Sequence, residues 1–485
     1  MRIWPSLCVL FLPLLAEAAP TRSNRTSSIA VVGAGFAGLA AVGRLRELGF
    51  EDITVFEGSD HFGGRVYSIP FDKARLQQGA QWVNGHDNDI FRIAKKLGLI
   101  IGEQADNDVY VRADIHTGTC TINRSVIDEF YNFTDPLEAK YRKMGQDSVN
   151  YATALGDIYA KDYRAFVKKV KRRAAERNMI DALSRFYIGF WEGEMGAFYD
   201  YALSNFHFWD EGEDGQAKSY VLNSQGYWPI SEYLKSFVPD EMIKYNHFVK
   251  KIRYSGAKVE IRVQEGAKSF EYPKQFDHVI VTSSLGHLKR YARSMFEPPL
   301  PQKKIEAIDS VGYGNLLKVF LVYDKPWWSF NGSSIAALWV KGCSPTHPLM
   351  EYIHTITKLE WDKDVLVAWV SARGTIMIDG VTDELLGEMI TEHLRFVMED
   401  RSIPLPKEMI RQHWVSNKLF LGAYSYISSE SARLQGGGYW AMAEPVTSKI
   451  FFAGEATHPT IYQTTVGAYE SGRREAERIA NLNRA

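Results

Sequence analysis

Three closely spaced glycines, Gly33, Gly35 and Gly38, follow the apolar run Ile29-Ala-Val-Val32. A G-x-G-x-x-G turn between a buried strand and a helix is suited to binding phosphates. Gly33 permits the tight turn, Gly35 lets backbone approach a pyrophosphate, and Gly38 lets helix pack on strand. The helix, predicted from about Phe36 to Leu48 and stopped by Gly49, would aim unpaired amides and a positive dipole end at the phosphates. Ile53-Thr-Val-Phe56 reads as a second strand, and Glu57 ends it, 24 residues after Gly33. A carboxylate there can accept hydrogen bonds from two ribose hydroxyls, and it would repel the 2′-phosphate of NADP. Far along the chain, Lys318 interrupts the apolar run Leu316-Leu-Lys-Val-Phe-Leu-Val-Tyr323. Period-two alternation puts it on one face with Leu316, Phe320 and Val322. A lone buried ammonium is costly, so such a lysine sheds its charge or finds a specific partner. The alternative is an edge-strand lysine reaching solvent.

After Glu57 the chain continues Gly58-Ser-Asp-His-Phe-Gly63-Gly64-Arg65-Val66. With this Gly-Gly-Arg behind the ribose acid, it resembles the flavin-containing amine oxidase superfamily. The resemblance extends through Gly79-Ala80-Gln81-Trp82-Val-Asn84-Gly85, Phe248-Val249-Lys-Lys-Ile252 and Val279-Ile-Val-Thr-Ser-Ser-Leu285-Gly286. It continues through His413-Trp414-Val-Ser-Asn417, Leu421-Gly-Ala-Tyr424-Ser-Tyr426, Gly454-Glu455-Ala-Thr-His458 and Thr464-Thr465-Val466-Gly467-Ala468. It is nearest in the spermine and acetylpolyamine oxidases. The resemblance implies FAD, bound non-covalently because no cysteine lies near the C-terminal motif. Its cofactor residues would be Gly33, Gly35, Gly38, Glu57 and Arg65, with Gly79, Ala80, Gln81 and Trp82 in the loop beneath the ring. The backbone of Val249 would meet the adenine, and Trp414, Glu455 and the amides near Thr465 and Val466 would complete the set.

By the same resemblance, Lys318 holds a water near the reactive nitrogen of the flavin. The implied reaction takes a hydride from the α-carbon of a neutral amine; the imine hydrolyses, and O₂ reoxidises the flavin to give H₂O₂. The protein supplies orientation, desolvation and electrostatics. Amino-acid oxidases of the superfamily carry an arginine on the Gly-Ala loop, and Gly79-Ala80-Gln81-Trp82 has none, which disfavours a carboxylate substrate. Polyamine oxidases carry an acid or a histidine where Asn84 stands; asparagine hydrogen-bonds but neither titrates nor supplies charge. Glu192 and Glu194 lie where the family contributes a carboxylate to its substrate tunnel. Asp210-Glu211-Gly-Glu213-Asp214 is a second acidic group, or a solvated loop. Tyr424 is a candidate aromatic wall for a cationic amine, or an ordinary core tyrosine. Thr464 completes the candidate substrate set. The expected function is a secreted FAD-dependent polyamine oxidase. The alternatives are an oxidase of another amine and a flavin-binding protein with little turnover.

The elements that must position these residues form an α/β fold. A discontinuous Rossmann-like FAD-binding domain takes 29–105, 240–298 and 440–482. An α+β substrate-binding domain takes 106–239 and 299–439, with a polar helical stretch from about Leu137 to Asn178. At 485 residues the chain has ample core for both. A net charge of -1 gives no bulk attraction to nucleic acid or to an acidic membrane. The basic run Lys168-Lys-Val-Lys-Arg-Arg173 reads as a solvated helix face. Residues 1–18 read as a secretory signal, with Arg2, the apolar run Leu7 to Leu15 and Ala16-Glu17-Ala18 for cleavage. That run is too short to span a bilayer. Sequons at Asn24, Asn123, Asn132 and Asn331 suggest N-glycans. Cys8 would leave with the signal; whether Cys120 and Cys343 pair is undecided by sequence. Neither stands in metal-ligand spacing. The expected partners are a small amine and O₂, without nucleic acid.

Overall fold

A computed structural model describes residues 26–104, 113–120, 123–147, 152–170, 174–206, 218–330, 332–359 and 361–482. The signal segment, the sequons at Asn24 and Asn331, Lys171 to Arg173 and the acidic group Asp210 to Asp214 lie outside the described residues. Four short apolar runs that do not alternate with polar residues become strands: Ile29–Val32, Ile53–Phe56, His278–Val281 and Ile450–Phe452. Continuous apolar strands suit a parallel sheet covered on both faces. With Ile243–Lys244 they form a five-stranded parallel sheet in the spatial order 450–452, 278–281, 29–32, 53–56, 243–244.

The helix Phe36–Glu47 follows the first strand, and the helix Thr465–Leu482 packs along it. Their approach is close: a Cβ on Gly472 would lie 2.1 Å from the Ala37 carbonyl oxygen. Both ends of the described chain are therefore in one layer, over the first glycine turn.

A second, six-stranded sheet runs 408–410, 316–322, 362–371, 353–359, 334–337, 114–116. It is antiparallel except between its last two strands. The strand Leu316–Val322 has a neighbour along its whole length on one side and at Phe320–Val322 on the other, and Lys318 is buried rather than turned to solvent. Helices pack against this sheet, among them Ala174–Met195 and Asp383–Val397. The stretch expected to be helical from Leu137 to Asn178 is broken into Leu137–Gln146, Leu155–Lys169 and the start of Ala174–Met195. Ala154 and Val170 break it, each taking an extended conformation and burying its side chain. Lys168 and Lys169 end their helix exposed, where lysines complement the negative dipole end. Asn132 is exposed, while the Asn123 side chain accepts the Ser125 amide and caps the helix Arg124–Thr134. Cys120 and Cys343 form a disulfide, with Cα atoms 5.8 Å apart. Among the described residues no helix is long and apolar enough to cross a membrane, and no group of acidic, histidine or cysteine side chains could hold a metal.

Candidate active site

An elongated cavity of about 2180 Å³, its open mouth included, runs from the first glycine turn to the six-stranded sheet. The glycines at its narrow end have two different jobs. Gly33, at φ +108°, and Gly38 close the fold: a Cβ would meet Thr282 Oγ1 at 2.5 Å and the Gly33 carbonyl oxygen at 2.0 Å, respectively. Gly35 and Gly454 instead keep the cradle clear. A Cβ on Gly35 would meet nothing nearer than 3.9 Å, and one on Gly454 nothing nearer than 4.0 Å. Both line the cavity, at a helix N-terminus and at the end of a strand.

Glu57 also lines it, buried at 7% exposure. Its Oε2 accepts the Ala34 amide at 2.7 Å, and its Oε1 accepts the Ser59 amide and hydroxyl at 2.8 and 2.7 Å. A carboxylate has about four acceptor positions. The loop has therefore taken most of them, and Oε2 keeps the free position for a ribose hydroxyl. The sequence led us to expect two.

Arg65 bridges the two motif regions. Its guanidinium donates to Glu455 Oε1 at 2.9 Å and to the Ala423 carbonyl at 2.6 Å. Burial works against its charge, but Tyr313 and Glu455 outweigh that and hold it firmly protonated. The Glu455 carboxylate takes four donors from the protein, accepting the Ser425 hydroxyl at 2.6 Å, the Ser425 amide at 3.3 Å and the Gln463 amide at 3.0 Å besides Arg65. Its role is to lock the wall, which leaves the backbone at Gly454 to face a ligand. The residues fit a dinucleotide with a flat ring: an open glycine cradle, an acid at the ribose, and a slot lined by Trp82, Trp414 and Val249. Gln78 Oε1, buried in the same wall, has no donor within the described protein.

At the wide end, Lys318 Nζ donates to the Gly79 carbonyl at 2.8 Å and to Gln81 Oε1 at 2.9 Å. It lies 5.6 Å from the centre of the Trp369 ring, which stacks on Trp82 at 5.9 Å. Two neutral acceptors return only about 1.5–3 kcal/mol each to a charged donor. Burying an ion costs several kcal/mol. The ammonium is accordingly pushed down by burial to about 7. The third position on Nζ is left for a water or a proton at the cavity.

Glu194 lines the cavity from the C-terminal turn of the helix Ala174–Met195, its carboxyl raised by burial to about 7. Tyr424 lies beside it, donating its hydroxyl to the Gly193 carbonyl; burial and then Glu194 hold that phenol well above its ordinary value. Asn84 lines the cavity with Nδ2 on the Ser219 hydroxyl at 3.0 Å.

Comparison with known proteins fits this geometry. Residues 36–480 match the family described as flavin containing amine oxidoreductase. The chain belongs to that family. It is 26% identical to a peroxisomal N(1)-acetyl-spermine/spermidine oxidase of Bos taurus, with 96% of each chain covered. It is 25% identical to a probable polyamine oxidase 5 of Arabidopsis thaliana, covering 94% of this chain and 98% of that one. The solved structure of a putrescine oxidase bound to putrescine shares its fold, at a TM-score of 0.63 and 19% identity over 94% of this chain and 99% of that one.

This flavin-dependent amine oxidase uses FAD, which when bound supplies the two-electron oxidation of an amine, and the lining of the cavity fits that group. Gly33, Gly35, Glu57, Arg65, Gly79, Ala80, Gln81, Trp82, Val249, Trp414, Glu455, Thr465, Asn84, Glu194, Tyr424, Thr464 and Lys318 all line the cavity. The expectations for Thr464 and Glu192 are corrected, and those for Gly38 and Val466 are narrowed to packing and to the backbone. Gly38 is a packing residue, as its contact with Gly33 requires. The Val466 side chain is core, 2% exposed, so only its first-turn amide can serve a ligand. The Thr464 hydroxyl accepts the Gly467 amide at 3.0 Å and so caps the last helix, which takes it from the substrate set. Glu192 does not line the cavity, because two residues on a helix are about 200° apart. The cavity residues that were missed include Gln78, Trp369 and His354. Alternation along Asp362–Ser371 could have pointed to Trp369; no local signal marks the other two.

Proposed function

We propose that this amine oxidase takes polyamines and works outside the cell. The polarity of the chamber carries the substrate reading. Glu194 offers a buried carboxyl to a cationic chain, while Arg65, the one arginine lining the cavity among the described residues, is bound to Glu455. A carboxylate substrate would meet no free guanidinium there. Trp82, Trp369 and Tyr424 give the alkyl segments an aromatic wall, which also favours nearby cations. Relatives named for acetylated spermine and spermidine support the same class.

Within that reading Lys318, uncharged above about pH 7, positions a water and takes or returns a proton without repelling the amine. Export is supported by the disulfide, which suits an oxidising compartment, and by the expected leader.

The test is expression of the full chain in a secreting cell, recovery from the medium and a visible spectrum. Spermine is then added without oxygen. Secreted yellow protein that bleaches, and yields H₂O₂ when air returns, fulfils the proposal. Yellow protein that ignores spermine but bleaches with another amine overturns the polyamine reading, and protein retained in the cell overturns export.

A further inference from the structure

His354 is a histidine that the fold has buried in the substrate chamber and left half-bonded. It lies between Ile353 and Thr355 where the ladder slips: Ile353 pairs with Val370 and Thr355 with Trp369, so His354 is the extra residue of a β-bulge. Bulges beside active sites commonly re-aim a side chain. Here the ring lines the cavity at 7% exposure. Its Nδ1 meets the Thr355 hydroxyl at 3.0 Å, and its Nε2 has no partner within the described protein. Burial pushes the ring down to about 3, so it is a neutral imidazole, with one donor and one acceptor nitrogen.

Gly193 stands next to the buried Nε2. A Cβ there would stand 3.6 Å from Nε2 and 3.5 Å from the Leu316 side chain. Glu194 is the next residue, and Tyr424 holds the Gly193 carbonyl. The sheet register fixes how far this is from the reacting end. Lys318 pairs with Trp369, and Trp369 pairs with Thr355. The bulge is therefore two strands from Lys318, about 10 Å.

We propose that His354 is a specificity-determining residue: with Nδ1–H donated to Thr355, its Nε2 accepts an N–H from a substrate nitrogen other than the one being oxidised, beside the Glu194 carboxyl. This rests on the polyamine reading, since a monoamine has no second nitrogen to place there. An unpaired buried nitrogen is a standing cost that such a ligand removes.

The test uses FAD-loaded wild type, His354→Leu, His354→Gln and Gly193→Ala, with spermine and with 1-aminobutane. We expect His354→Leu to raise the KM for spermine about tenfold with kcat within about twofold. His354→Gln recovers most of that loss, and 1-aminobutane kinetics do not change. Gly193→Ala, whose new methyl makes only ordinary contacts, raises the spermine KM in the same way. Spermine also raises the melting temperature of the oxygen-free wild type more than that of His354→Leu. A spermine KM unchanged in His354→Leu, or an equal loss for 1-aminobutane, overturns the inference and leaves polyamine oxidation standing. Wild type that stays yellow with spermine overturns the polyamine reading itself, and the inference with it.

Discussion

Arg65 and Glu455 stand 390 positions apart in the chain and 2.9 Å apart in the fold. The guanidinium comes from the loop after the second strand of the parallel sheet, and the carboxylate from the loop after Ile450–Phe452. Both line the cavity. The ion pair therefore joins the first and last motifs around the cofactor, and Ser425, bonded to Glu455 and to the Tyr439 hydroxyl at 3.0 Å, ties in the substrate side.

Removing one member of such a pair leaves a buried charge uncompensated. Arg65→Met should cost about 3 kcal/mol of stability and lower the FAD content of the purified protein. Melting curves with and without added FAD measure both effects. The double variant Arg65→Met, Glu455→Gln should lose less than the sum of the two single variants, because the second change removes the stranded charge. Additive losses would show that the two residues act separately.

The glycines give a sharper separation of fold from cofactor. Gly35→Ala adds a methyl that meets only the cradle, so the protein should melt within a few degrees of wild type but purify colourless. Gly38→Ala drives a methyl to 2.0 Å from the Gly33 oxygen and should destabilise the fold itself. The ratio of flavin absorbance to protein absorbance, read beside the melting temperature, checks the pair. Loss of both properties in Gly35→Ala would contradict the division.

Local pattern accounts for what was legible in advance. The strand at Ile29, the helix from Phe36, the strand at Ile53 and the acid after it each depend on neighbours in sequence, and each falls where the residue types put it. Lys318 stood out as one charge in an apolar run, but only its burial in the fold decides against a lysine reaching solvent. Long-range placement was not legible. Glu192 and Glu194 look alike in sequence, and only the phase of their helix decides which one reaches the cavity. The position of His354 depends on a bulge, a mismatch between two strands that neither strand contains alone. The Cys120–Cys343 bond was a pairing that only the fold could decide.

Lys318 and Glu194 titrate in opposite senses around the same pH. Burial lowers the lysine to about 7 from an ordinary 10.5, and raises the carboxyl to about 7 from an ordinary 4.5. Above pH 7 the chamber holds a neutral amine and an anion, which receives a cationic substrate; below it, a cation and a neutral acid, which does not. Activity should therefore fall as pH drops through about 7. Glu194→Gln should raise KM about tenfold at pH 8 and flatten its pH dependence, while the kcat limb persists. Lys318→Met should keep FAD, slow turnover about a hundredfold and lose the kcat limb. Stability supplies a check independent of turnover. Between about 4.5 and 7 the native carboxyl binds more proton than the unfolded one, so Glu194 makes stability fall as pH rises. Between about 7 and 10.5 the unfolded lysine binds more proton than the native one, so Lys318 makes stability rise with pH. The combined contribution is lowest near pH 7. Denaturant titrations across pH should show Glu194→Gln removing the falling limb and Lys318→Met the rising one, and limbs that survive both substitutions would assign the titration to other groups.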